Sequence, residues 1–360
     1  MKILAVNTGS TSTKVGYFNN KQVIFSSTIK HNLADLKRYA SIVQQVPFRN
    51  EAVAQALRPI ETELPSLDAV VGRGGFMRPV VSGTYQVNQR MLDDLISARY
   101  GEHASNLGAI MAFQLAEKYH AGRAYIVDPV VVDEMAPVAR ISGHPAIRRR
   151  SLFHALNQKA TGRYYAQVAG KSYSELNLII AHLGGGVSVG IHQNGQIIDV
   201  NNALEGEGAF SVDRTGGLPL GDIIRMCYRL DEKGQQLYDQ DKMIRMITRE
   251  GGLLAYAGTN NLQEVEERAR SGHSESVLLL EAMAYQVAKE IGAGATVLKG
   301  KVDAVILTGG MSFSEWFTSL IRERVAFIAP VAVVPGDKEL EALVEGVLRV
   351  HTGEELARVY

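Results

Sequence analysis

One run of elements is written twice along this chain. In residues 2–29 an apolar segment, Ile3-Leu4-Ala5-Val6, leads into Asn7-Thr8-Gly9-Ser10-Thr11-Ser12-Thr13-Lys14. Then come Val15-Gly16-Tyr17-Phe18, the turn Asn19-Asn20-Lys21 and Val23-Ile24-Phe25. Residues 177–200 repeat the order, with an apolar strand, a loop at Gly184-Gly185-Gly186, a second strand, a turn at Asn194-Gly195 and a third strand. Gly16 matches Gly190, and Gln22-Val23-Ile24 matches Gln196-Ile197-Ile198. Each copy reads as strand, small-residue loop, strand, tight turn, strand. A repeat at about half the chain predicts two related α/β domains, and 360 residues can bury a core in each. Small residues let backbone close around a ligand, and their N–H groups and hydroxyls can point at phosphate oxygens. Asn7, Ser10 and Ser12 are the candidates in the first loop, with Lys14 adding a positive charge at its far lip. One such loop is equally an ordinary Ser/Thr-rich turn. Two of them, facing each other across a cleft, could grip one polyphosphate from both sides.

Charge sets a limit on what else the chain binds. Lys plus Arg and Asp plus Glu are 38 each, so the net charge is zero. Nothing here points to nucleic acid, and phosphate binding must come from local loops and a few placed cations. The single Cys227 excludes an internal disulfide; it falls in an apolar helical pattern over 223–230, which predicts a buried thiol. The chain starts directly on a core strand, which predicts no signal peptide. No apolar run is long enough for a bilayer, so the expectation is a soluble cytoplasmic protein with no membrane partner.

Further candidates stand at the ends of predicted strands, where open α/β sheets bind ligands. The strand 68–72 runs into Arg73, whose planar fork suits a carboxylate or phosphate; Arg78 is its close competitor. The strand 124–127 ends at Asp128, which could hold Mg²⁺ directly or through water, or could be a turn residue before Pro129. Helices are predicted over 33–40, 42–46, 51–57, 88–99, 105–119, 157–169, 221–230, 241–249, 262–271 and 274–299. Residues 251–260 read as a loop. Asp133, Glu134 and Arg140 read as structural or substrate-shaping, and Arg148 and Arg150 as solvated. Gly170-Lys171-Ser172 is no P-loop, because Tyr165 stands where the first glycine is required. In the second copy, Gly184, Gly185 and Gly186 have the freedom to adopt the positive φ of a phosphate-wrapping nest. His182, at the loop's entry, can donate to a phosphate oxygen. A strand over 303–309 meets a turn at Gly309-Gly310, and the last strand, 331–335, precedes a final helix with Ala342 and Gly346 on a small-residue face.

The first loop, Arg148-Arg149-Arg150 with Phe153-His154, and His182-Leu183-Gly184-Gly185-Gly186 together resemble the acetate/butyrate kinase family. That family sits in the actin-like, Hsp70-like and sugar-kinase ATPase superfamily, and the likeness runs from Met1 to about Glu355. Val71-Gly72-Arg73-Gly74-Gly75 and the block 205–219 look more like its butyrate-directed members. The resemblance implies two duplicated ribonuclease H-like (actin-like ATPase) domains with a central cleft. Their expected bounds are 1–150, completed by a C-terminal helix in 340–360, and 151–339 on the nucleotide side. It implies ATP-dependent, reversible phosphorylation of a short carboxylate, such as butyrate or isobutyrate, to an acyl phosphate. ATP/ADP and Mg²⁺ are the implied cofactors, and a homo-oligomer the implied assembly.

Residue by residue, the resemblance implies that Arg73, His154, Arg214 and Asp128 are catalytic. Gly309 and Gly310 would lie against adenosine, Glu339 would join Asp128 at the metal, and the helix 105–119 would join the domains. Acetate kinases usually carry an acidic residue shortly after the second arginine, where this chain has Gly216-Gly217. Acetate or propionate kinases, sugar kinases and non-metabolic actin- or Hsp70-like ATPases are the alternatives.

Overall fold

The computed structural model describes residues 1–360. Its strands, in chain order, are β1 (Lys2–Thr8), β2 (Ser12–Asn19), β3 (Gln22–Lys30), β4 (Ala69–Arg73), β5 (Thr84–Gln86), β6 (Ala124–Val127), β7 (Asn177–Leu183), β8 (Val187–Gln193), β9 (Gln196–Val200), β10 (Ala304–Gly309), β11 (Val331–Pro335) and β12 (Arg358–Val359). They form a seven-stranded sheet, β12-β5-β6-β4-β1-β2-β3, and a five-stranded sheet, β11-β10-β7-β8-β9. The chain divides into two compact units, residues 1–133 with 338–360, and residues 134–337.

In the first unit β1 runs parallel to β4 and antiparallel to β2. Ile3 to Val6 are fully buried, as a strand covered on both faces must be. The edge strand β3 is exposed over much of its length. The helix Asn106–Lys118 lies on β4 at very close range. A Cβ on Gly72 would stand 2.0 Å from the Gly108 carbonyl oxygen, and one on Gly108 would stand 2.3 Å from that of Arg73. The helix Glu339–His351 packs over β5 and β6, where a Cβ on Gly346 would meet Val127 at 2.5 Å. The chain ends in the same unit, with β12 beside β5 and the Tyr360 hydroxyl donating to Asp94 at 2.8 Å.

The second unit repeats the meander. β7, β8 and β9 are antiparallel neighbours, and β7 runs parallel to β10 and β10 to β11. The duplication extends to irregularities. The β2–β3 ladder slips between Tyr17 and Phe18, and the β8–β9 ladder between Ile191 and His192. Both turns use an asparagine in the left-handed region, Asn20 at φ 50° and Asn194 at φ 52°, where its short polar side chain is tolerated. The core gathers on the helix Ser274–Val297, with Leu280, Met283, Val287 and Ile291 facing Ile179, Val305 and Leu307 of the sheet.

Several local expectations are corrected. Residues 33–46 contain only the single turn Leu33–Leu36 and a 3₁₀ turn, Val43–Gln45, before a helix, Val46–Leu57, that starts earlier than expected. Residues 251–260 are not a plain loop; Gly252–Ala257 is a helix closed by Gly258 at φ 71°, as a left-handed C-cap requires. Cys227 is only half-buried, because the helix Leu220–Cys227 buries none of its residues. No helix is long and apolar enough to cross a membrane.

Candidate functional site

In the first unit three elements deliver one polar cluster. Asn7 comes from the carboxyl end of β1, Arg73 ends β4, and Glu339 opens the last helix. The Asn7 amide donates to Glu339 Oε2, and Arg73 Nη1 stands 3.3 Å from that oxygen and 3.4 Å from Asn7 Oδ1. Glu339 is 6% exposed and Arg73 18%, so the pair is held where solvent screens it little. A carboxylate in a helix's first turn is also favoured by the macrodipole. Arg78, the competitor, is committed elsewhere. Its N–H donates to the Tyr360 hydroxyl at 3.0 Å, and its guanidinium stacks on that ring at 4.4 Å.

Asp128 follows β6, whose last residue, Val127, is the ladder partner of Arg73. It is buried and sits at φ 38°. Its Oδ1 accepts from the Ser82 hydroxyl at 2.6 Å and the Gly83 N–H at 2.8 Å, so the carboxylate also holds the turn before β5.

The serine-rich loop rests on a residue that sequence reading missed. Arg49, in the helix Val46–Leu57, is fully buried. Its guanidinium donates to the carbonyls of Gly9 at 2.9 Å, Ser10 at 3.0 Å and Ser12 at 3.1 Å, to Thr13 Oγ1 at 3.2 Å and to Gln45 Oε1. Burial lowers its pKa to about 10, which leaves it charged at neutral pH. One face of the loop, its carbonyls, is thereby taken by the protein. Ser10 is exposed and Ser12 half-buried, while Lys14 lies within β2 opposite Asn7.

In the second unit His154 immediately precedes the helix Ala155–Val168, and Asn157 and Gln158 share its face three and four residues on. The rings of His154 and His182 stack at 3.8 Å and 14°. His182 Nδ1 is 2.8 Å from Asn157 Oδ1, and His154 Nδ1 is 2.9 Å from Ser188 Oγ. Beyond His182 runs the triple-glycine loop. Arg214 lies over it, donating to the Ala203 carbonyl at 2.8 Å, and a Cβ on Gly186 would collide with its guanidinium at 2.2 Å. Asp213 lies beside Gly185, and burial raises its pKa against the pull of Arg214. Gly216, φ 61°, packs on the backbone of 208–210 with no room for a side chain.

Of the three arginines, Arg148 and Arg150 are exposed, and Arg150 pairs with Glu205. Arg149 is a clamp, 2.8 Å from Asp199 and donating to the Val200 carbonyl at 3.0 Å. Glu134 is structural, ion-paired with the buried Lys159 at 2.6 Å.

A cavity of about 690 Å³ opens beside this loop, lined by Gly184, Gly185, Asn261, Gly310, Phe313 and Trp316 among others. Its size suits a drug-sized ligand. The two glycines after β10 differ. Gly309, φ 91°, has the Leu183 carbonyl 2.4 Å from where a Cβ would sit, whereas a Cβ on Gly310 meets nothing within 4 Å.

The acetokinase family model matches residues 140–339, more than half of the chain. "Butyrate kinase 2" of Clostridium acetobutylicum is 50% identical over 359 residues, covering 100% of this chain and 99% of that protein. "Butyrate kinase 1" of the same organism is 48% identical over the same span. The chain belongs to the acetokinase family. Among solved structures, Porphyromonas gingivalis acetate kinase superposes with a TM-score of 0.77 at 18% identity, over 96% of this chain and 99% of that one. A propionate kinase from Francisella tularensis gives 0.73 at 18%, over 96% and 98%. These two likenesses speak for the fold, which is the actin-like ATPase fold that the family resemblance implied.

In this acetokinase-family chain the structure thus groups Asn7, Arg73 and Glu339 in one unit. In the other it groups His154, His182, Gly184–Gly186 and Arg214, with Gly310 lining the cavity and Gly309 packed behind it against Leu183. Sequence reading passed over Arg49, Asn157, Gln158 and Ser188. Gly309→Ala is expected to destabilise the protein, whereas Gly310→Val should leave its melting temperature unchanged and raise the KM for ATP about tenfold. Thermal melts and ATP titration check the contrast; equal behaviour of the two variants would remove Gly310 from the nucleotide site.

Proposed function

We propose that this chain transfers the γ-phosphoryl group of ATP to a short carboxylate, butyrate or a near homologue, giving ADP and an acyl phosphate reversibly. The observation that carries the reading is the full-length identity with two clostridial butyrate kinases. A carboxylate with pKa near ~4 is already ionised at neutral pH, so no strong base is needed. A carboxylate oxygen forms the new bond to γ-phosphorus as the bond to the bridging oxygen breaks, and ADP carries off the electron pair. The barrier is electrostatic, two anions meeting, and the site must supply positive charge and alignment.

In this reading the second unit holds the nucleotide, with adenosine in the cavity beside Gly310 and phosphates along Gly184–Gly186. Arg214, on that loop, neutralises oxygens of the transferring group, and His154 and His182 present ring nitrogens to it. Arg73 meets the carboxylate or the transferring group with its fork, while Asn7, Ser10, Ser12 and Lys14 line the phosphate end. Glu339 and Asp128 offer the hard oxygen donors that Mg²⁺ takes. No group of three or more His, Cys, Asp or Glu side chains is placed to hold a metal alone. Bound there, Mg²⁺ would neutralise phosphate charge.

The test is ADP formation coupled to hydroxamate capture of the acyl phosphate, over straight and branched acids of two to six carbons. The expected preference peaks at four carbons and falls softly on either side, because one methylene in an apolar pocket is worth only ~1–3 kcal/mol. A peak at acetate, or ATP turnover indifferent to any acid, would sink the butyrate assignment.

A further inference from the structure

Behind His154 lies a row of polar side chains in the second unit that the reaction as set out does not use. Ser188, Gln158 and His192 are fully buried and Tyr173 half-buried. Successive contacts link them. Tyr173 Oη is 2.6 Å from His192 Nδ1, His192 Nε2 is 3.0 Å from Gln158 Oε1, Gln158 Nε2 is 2.8 Å from Ser188 Oγ, and Ser188 Oγ is 2.9 Å from His154 Nδ1.

The proton positions follow from valence. The Ser188 carbonyl can only accept, and Gln158 Nε2 lies 3.0 Å from it, so the amide nitrogen, not the oxygen, faces Ser188. Gln158 Oε1 therefore faces His192 and needs a donor, which places the His192 proton on Nε2. Burial foremost, with Lys159 and Arg163 adding to it, holds that ring's pKa well below the ordinary imidazole range. The neutral ring leaves Nδ1 to accept from the Tyr173 hydroxyl. Ser188 Oγ already accepts from Gln158, and its own proton goes to His154 Nδ1. Turned elsewhere, it would be a buried hydroxyl donor without an acceptor, a cost the protein avoids by this one orientation. His154 Nδ1 is thus an acceptor, and the neutral ring carries its proton on Nε2.

The fold makes room for this arrangement. A Cβ on Gly190 would stand 2.0 Å from Gln158 Oε1 and 3.1 Å from His192 Nε2. Its counterpart Gly16 instead accommodates the Phe18 ring, at 2.7 Å. The same repeat position serves packing in one unit and a polar chain in the other.

We propose that Tyr173, His192, Gln158 and Ser188 are positioning residues: a hydrogen-bond chain, every donor pointing toward His154, that fixes this histidine as its Nε2–H tautomer. Donors aligned in one sense also polarise one another. The proposal rests on the kinase reading only where kinetics are used. His154 then offers a donor to an anionic oxygen without carrying a charge itself. His182 differs, since its Nδ1 faces the accepting oxygen of Asn157.

Long-range ¹H–¹⁵N correlation spectra of the full chain labelled in histidine test it, with His154 assigned by its loss in His154→Gln. Wild type is expected to show His154 neutral with the proton on Nε2. In Ser188→Ala the signal should shift toward a tautomer mixture, and kcat should fall about tenfold with the KM for ATP changed less than twofold. The tenfold figure is less than the ~10²–10³ for losing a donor outright, because the correct tautomer stays partly populated. A proton on His154 Nδ1 in wild type overturns the proposal whatever the variant does. So does a folded Ser188→Ala with an unchanged tautomer. Failure of the wild type to phosphorylate any acid would strike the kinase reading and leave the tautomer result standing.

Discussion

Alanine in place of Arg73 or of Arg214 is expected to lower the turnover of acyl-phosphate formation by about 10²–10³-fold or more. In the proposed reaction the charge each removes would face two anions. Two unit charges 4 Å apart interact by roughly 4 kcal/mol at an effective dielectric constant near 20, so one missing cation is a large share of the barrier. Arg73 is tied to Asn7 and Glu339, which orients its fork before any substrate arrives. Arg214 is oriented by the Ala203 carbonyl and by the space that Gly186 leaves. Lysine at either position keeps the charge and loses the planar fork, so each lysine variant should fall between wild type and alanine. Arg73→Ala also removes the Arg73 guanidinium from the buried Glu339, so far-ultraviolet circular dichroism and a thermal melt must accompany the kinetics. Near-normal turnover in both alanine variants would take these residues out of the mechanism.

Arg49→Met should be the most destabilising single change in the first unit outside its apolar core, by about 3–5 kcal/mol. Each buried acceptor left without a donor costs ~1–3 kcal/mol, and Arg49 serves the carbonyls of Gly9, Ser10 and Ser12 together. The range is the one found when one partner of a buried ionic contact is removed. Arg49→Lys should rescue little, since a single ammonium cannot meet acceptors spread around a planar fork. Urea unfolding followed by a probe in the first unit reads the change. Because the loop 9–12 loses its support, the KM for ATP should rise as well. A variant of wild-type stability would mean that the loop holds its own shape.

Much of this was legible because it is local. The strands of both meanders follow from apolar runs broken by Asn20-Lys21 and Asn194-Gly195, and the repeated order led directly to a two-unit α/β fold. Arg73 and His182 were singled out by their place at strand ends, and Asn7 by its place in the small-residue loop. What escaped is what depends on distant parts of the chain. Arg49 falls in the gap between the expected helices 42–46 and 51–57, and only the placement of Val46–Leu57 under the loop buries it. The chain behind His154 left a faint trace: Asn157, Gln158 and Thr161 are polar at helical spacing on a buried face. That stripe is the signal that a closer reading could have used. The helix Gly252–Ala257 was missed because paired glycines read as loop, although one of them, Gly252 at φ 60°, serves only to start it.

One feature of the chain's path bears on how it is made. The second unit is a continuous stretch, 134–337, whereas the first needs 338–360 to close. A ribosome releases the N-terminal sheet first, yet its covering helix, Glu339–His351, and its outermost strand, Arg358–Val359, emerge last. Until then β5 lacks its outer neighbour and the face over Val127 lies open to water. Vectorial synthesis therefore reverses the order of completion: the half translated later can mature first, and the earlier half waits, partly uncovered, for the final two dozen or so residues.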